Sequence, residues 1–391
     1  LINIINMKKS DWIDAATACD MLGVKPQTLY AYVSRGLLRA EADAQDARHS
    51  LYKQSDVEDL ARLRRRPRAR AEIAEHAIRW GEPVLTTSLT EVRDGMLWLR
   101  GKSIADCAEQ LTVEGVAAHL WAVEPTDFVS GYAPDLSAGP DAALGPLGRA
   151  LQALTHEVPQ AADLDDSAAN TIAHQGGRLV SIFTNALLGV QGTGPIHHRL
   201  GQAWGVDAEG LDNLRCALVL LSDHELNPST FAVRVAASTG ASLPAALLCG
   251  LATLSGPRHG GVASLARRAL EAALLGKTQD FLAQHANQPP YSYGFGHPLY
   301  PDGDPRARII LNRLADRGAV VSAITSLSDE LGLPPNIDAA LAALSEAQNL
   351  PDTAAFTIFA TGRLVGWIAH AMEQQESGEI IRPRARYREK P

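Results

Sequence analysis

Four short islands decide how this chain is read: Ser222-Asp-His-Glu-Leu-Asn-Pro-Ser-Thr-Phe-Ala-Val-Arg234, Gly256-Pro-Arg-His-Gly-Gly261, Gly294-Phe-Gly-His-Pro-Leu-Tyr-Pro-Asp-Gly-Asp-Pro-Arg306 and Pro334-Pro-Asn-Ile-Asp338. Each sets a histidine, an arginine or an acid beside glycine and proline, the residues that punctuate helices. His224, His259, His297, Arg306 and Asp338 follow one another at 35, 38, 9 and 32 residues. No compact metal motif of the H-E-x-x-H kind has such spacing, and no metal site is expected. Taken singly, each histidine also reads as a structural hydrogen-bonding residue, and Asp338 as a helix cap. Ser222, Ser229 and Ser255 lie nearby without a G-x-S-x-G elbow, which argues against a hydrolase triad. No G-x-x-x-x-G-K-[ST] loop or strand-flanked G-x-G-x-x-G cradles a nucleotide phosphate.

Around the islands, the 391 residues suffice for two or three domains, and the 46% hydrophobic and 20% charged composition is that of globular protein. No apolar run reaches the ~18 residues of a membrane span. Cys19, Cys107, Cys216 and Cys249 are widely separated, which excludes a disulfide scaffold and a thiolate zinc site, suits a reducing cytoplasm, and reads as four small core residues. No basic, apolar, cleavable leader marks the chain for export. Leu1–Asn6, before Met7, read as an over-extended start. After Pro83 long Ala- and Leu-rich stretches keep a helical period, so an all-α body is expected, without solenoid repeats.

Charge divides the chain. Through Trp80 there are 14 Lys+Arg against 11 Asp+Glu, a balance of +3, and subtraction from 36 and 44 leaves 22 against 33, or −11, for the remainder. Arg62, Arg64, Arg65, Arg66, Arg68 and Arg70 surround Pro67, so the reading is a domain over 10–66, a linker over 67–81 and a body over 82–391. In the first domain Ala15, Ala16, Cys19 and Leu22 recur at helical spacing, Gly23 supplies a turn, and Lys25-Pro26 opens a second helix through Leu29, Tyr32 and Val33. Leu37–Tyr52 reads as a short wing-like hairpin, and Ser55-Asp56 as the cap of a third helix through Val57, Leu60 and Leu63.

AATACDMLGVKPQTLYAYVSRGLL (15–38) and YKQSDVEDL (52–60) resemble the winged helix-turn-helix of the MerR and excisionase type. The resemblance implies DNA as a partner, with Lys25, Gln27, Thr28 and Tyr30 near bases and Arg35, Arg48 and the arginine run on phosphates. The same scaffold also docks protein, and +3 is a mild charge for phosphate neutralisation.

From about Leu85 to the C-terminus the islands fall, in order, among LTEVRDGMLWLRGKSIADCAEQLTVEGV (89–116), DHELNPSTFAVRVAAST (223–239), GPRHGG, GFGHPLYPDGDPRA, PNID, GRLVGWIAHAMEQ (362–374) and IIRPRARY (380–387). This series resembles the citrate synthase family. The resemblance implies a large helical domain, a smaller one over about 259–345 and a cleft between them. It also implies condensation of acetyl-CoA with oxaloacetate and water to citrate and CoA. In that scheme Asp338 is the base, His259 the donor to the thioester carbonyl and His297 the donor to the ketone of oxaloacetate. His224, Arg306, Arg363 and Arg382 clamp the two carboxylates, and Arg382 reaches the cleft of the other subunit in a homodimer with shared sites. The CoA thioester is a substrate and no cofactor is required. Alone, Arg306 and Arg363 read as helix-end or surface arginines, and Arg382 as part of a basic tail.

Two departures bear on the substrate. Pro298-Leu-Tyr-Pro301 follows the second histidine where the usual bacterial sequence has Arg-Val-Tyr-Lys, which puts CoA phosphate contacts in question. Ala-Ala-Leu follows Asp338 in place of Phe-Tyr-Ser, which leaves a larger acyl pocket, propionyl-CoA and a 2-methylcitrate product open. A third reading is a catalytically inactive regulator that senses a dicarboxylate and binds DNA. Such a sensor needs the arginines but not the base.

Overall fold

The computed structural model describes residues 12–34, 38–42, 49–57, 85–124, 144–161, 169–385 and 387. The chain divides into two compact units, Leu1–Thr86 and Thr87–Pro391.

In the first unit, strand β1 (Trp12–Asp14) leads into helix α1 (Ala15–Leu22), helix α2 (Pro26–Ser34) and strands β2 (Ala40–Ala42) and β3 (Ser50–Lys53). Asp14 caps α1 by accepting from the Thr17 N–H at 2.7 Å, and Gly23, at φ 60°, ends it in the left-handed region that glycine enters freely. Pro26 takes the first position of α2, where its missing N–H costs nothing. β3 is the central strand, antiparallel to both neighbours, with Ile13 opposite Tyr52 and Glu41 opposite Leu51. Ala18, Cys19, Leu22, Leu29, Leu38, Tyr52 and Val57 form its core. One expected detail is corrected: helical backbone begins at Gln54, before the Ser55-Asp56 pair. The Asp56 carboxylate instead accepts from Arg39 Nε at 2.8 Å and Nη2 at 2.6 Å. Lys25 and Tyr30 are exposed and Thr28 is half-buried. The side chain of Gln27, together with Arg35, Arg48, Leu60, Leu63 and the arginine-rich segment 62–81, lies outside the described residues.

The second unit opens with a small antiparallel sheet that the helical reading passed over: β4 (Thr90–Arg93), β5 (Met96–Leu99) and β6 (Lys102–Ser103), in that order. Two-residue connections, Asp94-Gly95 (φ 53° and 70°) and Arg100-Gly101 (φ 41° and 80°), have the twist that favours hairpins. Helices follow almost without interruption: α3 (Ile104–Gln110), α4 (Val113–Trp121), α5 (Pro146–Ala161), α6 (Ala169–Leu188), α7 (Ile196–Trp204), α8 (Ala208–Leu220), α9 (Pro228–Ala237), α10 (Leu243–Leu254), α11 (Val262–Leu274), α12 (Thr278–Gln284), α13 (Pro305–Arg313), α14 (Gly318–Leu331), α15 (Ile337–Ala347) and α16 (Ala354–Ser377).

Helix α16 is buried through most of its length and packs on α4, α6, α8, α9 and α10. Its approach to the end of α8 is backbone to backbone. A Cβ on Gly362 would stand 2.7 Å from the Leu218 carbonyl oxygen, and one on Gly366 2.3 Å from that of Ser222. The Gly366 N–H donates to the Ser222 carbonyl at 2.9 Å. A second group forms around α11, which packs on α14 and α15, with α13 against α15. Cys19, Cys107 and Cys216 are core residues, but Cys249 is exposed, on the outward side of α10. Among the described residues no helix is long and apolar enough to cross a membrane.

Candidate active site

Each island supplies a helix start or the turn before one. His224 sits in the turn after α8, held by an adjacent Glu225 at φ 47° whose carboxylate accepts the Val92 N–H of β4 at 2.8 Å. His259 lies in the turn before α11. There the Gly260 N–H reaches the Leu254 carbonyl at 2.8 Å, and a Cβ at residue 260 would stand 2.6 Å from that same oxygen. The His297 and Asp338 loops are zipped together: Gly296 N–H donates to Pro334 O at 2.8 Å, Asn336 N–H to Gly294 O at 2.8 Å, and Asn336 Nδ2 to Gly296 O at 3.1 Å.

Asp338 is not the cap of α15. That role belongs to Asn336, whose side chain accepts the Asp338 N–H at 2.9 Å, so Asp338 stands in the first turn of the helix. An N-terminal position favours the anion, yet burial dominates and pushes its carboxyl up to about 7 against the pull of Arg306 and Arg363, with Asp304 adding to the rise. The side chain keeps some exposure to solvent, as a group facing a cleft does.

The two guanidiniums are the opposite of surface arginines. Arg306 and Arg363 are 2% and 1% exposed. Arg306 forms a bidentate pair with Asp304 (Nε to Oδ1 3.0 Å, Nη2 to Oδ2 2.8 Å), and its guanidinium lies 5.7 Å from the Tyr300 ring centre. Arg363 Nε donates to the Leu221 carbonyl at 2.9 Å, and its guanidinium lies 5.0 Å from the Phe359 ring. Burial lowers the Arg363 pKa to about 10, still fully charged near neutrality.

Aromatic rings join the histidines to these cations. His224 and His297 meet edge to face at 5.2 Å. Tyr300 lies 4.9 Å from His297, and its hydroxyl is 3.0 Å from His224 Nε2. Phe359, which contacts Arg363, also meets the His259 ring at 5.9 Å. Burial and neighbouring arginines depress all three imidazoles: His259 and His297 to about 4, His224 well below its usual value. They are neutral at pH 7. For His297 the tautomer follows, because its Nδ1 accepts the Leu299 N–H at 3.2 Å and the ring proton is therefore on Nε2.

The fold thus gathers His224, His259, His297, Arg306, Asp338 and Arg363 into one electrostatically coupled neighbourhood. Arg382 is exposed, on the non-helical segment after α16, and makes none of these contacts. Four participants escaped the sequence reading. Tyr300 lies within the quoted island, and Asp304, the acid of Asp-Pro-Arg, caps α13 while accepting the Ile337 N–H at 3.1 Å. Phe359 precedes Arg363 by one helical turn, and Ser229 Oγ stands 2.8 Å from His259 Nε2. The small Ala339 is matched by the Gly294 backbone, where a Cβ would come within 2.9 Å of the Ala339 Cβ.

A model of the C-terminal domain of citrate synthase matches residues 147–384, more than half of the chain. The chain belongs to the citrate synthase family. Citrate synthase 2 of Bacillus subtilis is 32% identical over 182 residues, 44% of this chain and 49% of that protein, so the match spans about half of the relative's length. Citrate synthase of Mycolicibacterium smegmatis is 26% identical over 358 residues, 80% of this chain and 94% of the relative. The fold matches that of the citrate synthase from Thermoplasma acidophilum, solved as a ternary complex with carboxymethyl coenzyme A and oxaloacetate, with a TM-score of 0.67 at 24% identity over 79% of this chain and 94% of that one.

The raised carboxyl of Asp338 has a consequence for stability that carries its own sign. A folded-state pKa of about 7 against 3.8 means that folding is favoured below pH 3.8 and loses that contribution as pH climbs through 7. Asp338→Asn is therefore expected to stabilise the protein increasingly between pH 4 and pH 7 and then by a constant amount. The gain is about 4 kcal/mol at most, less where water reaches the carboxyl. Urea unfolding at pH 4, 6 and 8 checks this. A gain independent of pH would show that Asp338 ionises normally.

Proposed function

We propose that this chain condenses an acyl-CoA, acetyl-CoA or propionyl-CoA, with oxaloacetate and water to give citrate or 2-methylcitrate and free CoA. The observation that carries the reading is Asp338, a carboxyl of pKa about 7 beside two buried guanidiniums and accompanied by neutral imidazoles. The complex of the Thermoplasma acidophilum citrate synthase with a CoA derivative and oxaloacetate supports the same pair of substrates. No cofactor enters the scheme.

A thioester methyl is a very weak acid, so Asp338 can take its proton only while a donor meets the developing enolate oxygen; His259 is assigned that donor. The new carbon nucleophile bonds to the ketone carbon of oxaloacetate, and the ketone oxygen collects the electron pair opposite His297 Nε2–H. Water then attacks the thioester, the C–S bond breaks and CoA leaves. His224, Arg306 and Arg363 orient the dicarboxylate. Arg306 spends two N–H groups on Asp304 and retains others for substrate. Arg382 completes the clamp from a second copy of the chain, which makes the active form a homodimer.

A carboxyl placed where its ionisation opposes folding favours turnover over a dicarboxylate sensor, since a sensor gains nothing from that cost. The first unit is assigned separately as a winged helix-turn-helix that binds DNA. Tyr30, 59% exposed, projects from α2 and Lys25 stands exposed just before it, while Leu29 of α2 is fully buried.

Release of free CoA from acetyl-CoA or propionyl-CoA should require oxaloacetate, and kcat/KM should rise with pH to a plateau above about 7 as Asp338 ionises. Asp338→Asn should lower turnover at least ~100-fold with little change in oxaloacetate binding. Wild-type turnover in that variant removes Asp338 as the base. For the shared site, inactive Arg382→Ala and Asp338→Asn proteins, once mixed and exchanged, should recover up to about half the activity per heterodimer, because one cleft then has both residues. Confirmed exchange without activity returns Arg382 to its own chain. For the first unit, anisotropy of labelled duplex DNA should show binding by the full chain that weakens steeply with salt. Salt-insensitive or absent binding favours a protein-docking role.

A further inference from the structure

Where α16 ends, the chain does not come free. Gly378, at φ 65°, breaks the helix, and side chains of the same chain then take up the backbone groups that follow. Ser377 Oγ accepts the Glu379 N–H at 3.2 Å, Gln374 Nε2 donates to the Glu379 carbonyl at 2.8 Å, and Ser238 Oγ, just after α9, accepts the Ile381 N–H at 3.1 Å. Arg382 is the next residue, and Pro383 after it biases Arg382 toward extended backbone. An exposed arginine is thus constrained from both sides on a non-helical segment.

Each hold has a fixed direction. Gln374 is 3% exposed, and its Oε1 accepts from Arg234 Nε at 2.8 Å. A guanidinium can only donate and a peptide carbonyl can only accept, so the amide cannot be turned over. The Ser238 hydroxyl gives its proton to the Val235 carbonyl at 2.7 Å, which leaves a lone pair for the Ile381 N–H. Arg234 is anchored in turn by Glu373 at 2.6 Å and donates toward His370 Nδ1 at 3.4 Å. His370 Nε2 lies 3.1 Å from Asp223, the neighbour of His224. The polar network behind this chain's own His224 therefore ends on the tail.

Within one chain this arrangement gains little. Ile380, between the two outer holds, is 64% exposed, so the segment is ordered by hydrogen bonds without the apolar burial that normally offsets lost backbone freedom. What the bonds do supply is a direction for the residue that follows them.

We propose that Gln374 and Ser238 are positioning residues for Arg382, a clasp that fixes the tail where it leaves α16 and α9 and so aims the guanidinium at a carboxylate of oxaloacetate. The inference rests on the role proposed above for Arg382 and adds what holds that residue in place. One buried network then serves two clefts, through His224 in its own chain and through Arg382 in the other copy.

The experiment is a double-mutant cycle on the full chain, with oxaloacetate affinity measured by calorimetry in the absence of a CoA thioester, so that turnover is not needed. Ser238→Ala should weaken oxaloacetate binding about 3- to 10-fold, the range of one lost hydrogen bond. Ser238→Thr, which keeps the hydroxyl, should restore it. Added to Arg382→Ala, the same Ser238→Ala change should have no further effect, because the residue it aims is gone. Gln374→Glu keeps an acceptor for Arg234 but loses the donor to the Glu379 carbonyl, and should behave as Ser238→Ala does. Equal weakening with and without Arg382 overturns the proposal, as does no weakening in either background. Hydrogen exchange of the segment 379–385, followed without ligand, should be faster in Ser238→Ala and return to the wild-type rate in Ser238→Thr; unchanged exchange in Ser238→Ala also overturns it. A wild type that binds no oxaloacetate would refute the reaction and the aim of Arg382 together, whereas binding with equal effects in both backgrounds would refute the clasp alone.

Discussion

Backbone contact between α16 and the end of α8 is the constraint from which the site follows. At Gly362 and Gly366 there is no room for even a methyl group, and what that proximity gains is burial without side chains in between. Arg363 lies between these two glycines and can reach the Leu221 carbonyl because the two backbones approach so closely. One turn further, Trp367 meets Ser229, and His370 Nε2 lies 3.1 Å from Asp223, which Thr90 also reaches at 2.8 Å. Further still, Glu373 joins Arg234 at 2.6 Å and the Ser88 N–H at 2.7 Å. One helix face registers the whole 221–234 segment, and with it His224.

Around that frame, charge is placed in protein where water would ordinarily hold it. Arg306 is matched by Asp304 on both carboxylate oxygens, and Oδ2 of Asp223 by His370 and Thr90. Asp338 has no comparable partner, and for that reason burial holds its proton more tightly than usual, so that it is exchanged near neutral pH. The histidines are kept uncharged by the same surroundings, so they serve as hydrogen-bond donors whose direction is set by their other nitrogen. A residue that looks like an accessory in the sequence, Leu299 through its N–H, therefore decides which nitrogen of His297 can donate.

Much of this was legible. Helical periods after Pro83, and glycine and proline between them, announced a helical body, and the ordered islands pointed to the residues that the fold brings together. The sheet at 90–103 was missed because its strands are only two to four residues long and lie within a stretch matched as a motif, although Asp94-Gly95 between alternating residues was a hairpin signal. Asp338 read as a cap because an acid after Asn-Ile fits that role, and only the hydrogen bond from its N–H to Asn336 tells first turn from cap. Cys249 read as core since composition cannot say which side of α10 it occupies. Tyr300, Phe359 and Ser229 act through contacts with residues far away in sequence, or through the helix turn they share with an arginine, and no local pattern announces them, whereas Asp304 carried the cap signature of an acid before Pro305.

The face of α16 that carries Gly362, Arg363, Gly366, Trp367, His370, Glu373 and Gln374 also limits how such a chain can change in length. A single residue inserted after Gly362 would turn everything beyond it by about 100° and advance it by about 1.5 Å. Trp367, His370 and Glu373 would leave their separate partners together, and Gly366 would be replaced at its contact by a residue with a side chain. The long helix therefore acts as a ruler whose graduations cannot be moved one at a time. Length variation is confined to connections that touch none of those marks, such as the turns on either side of α12.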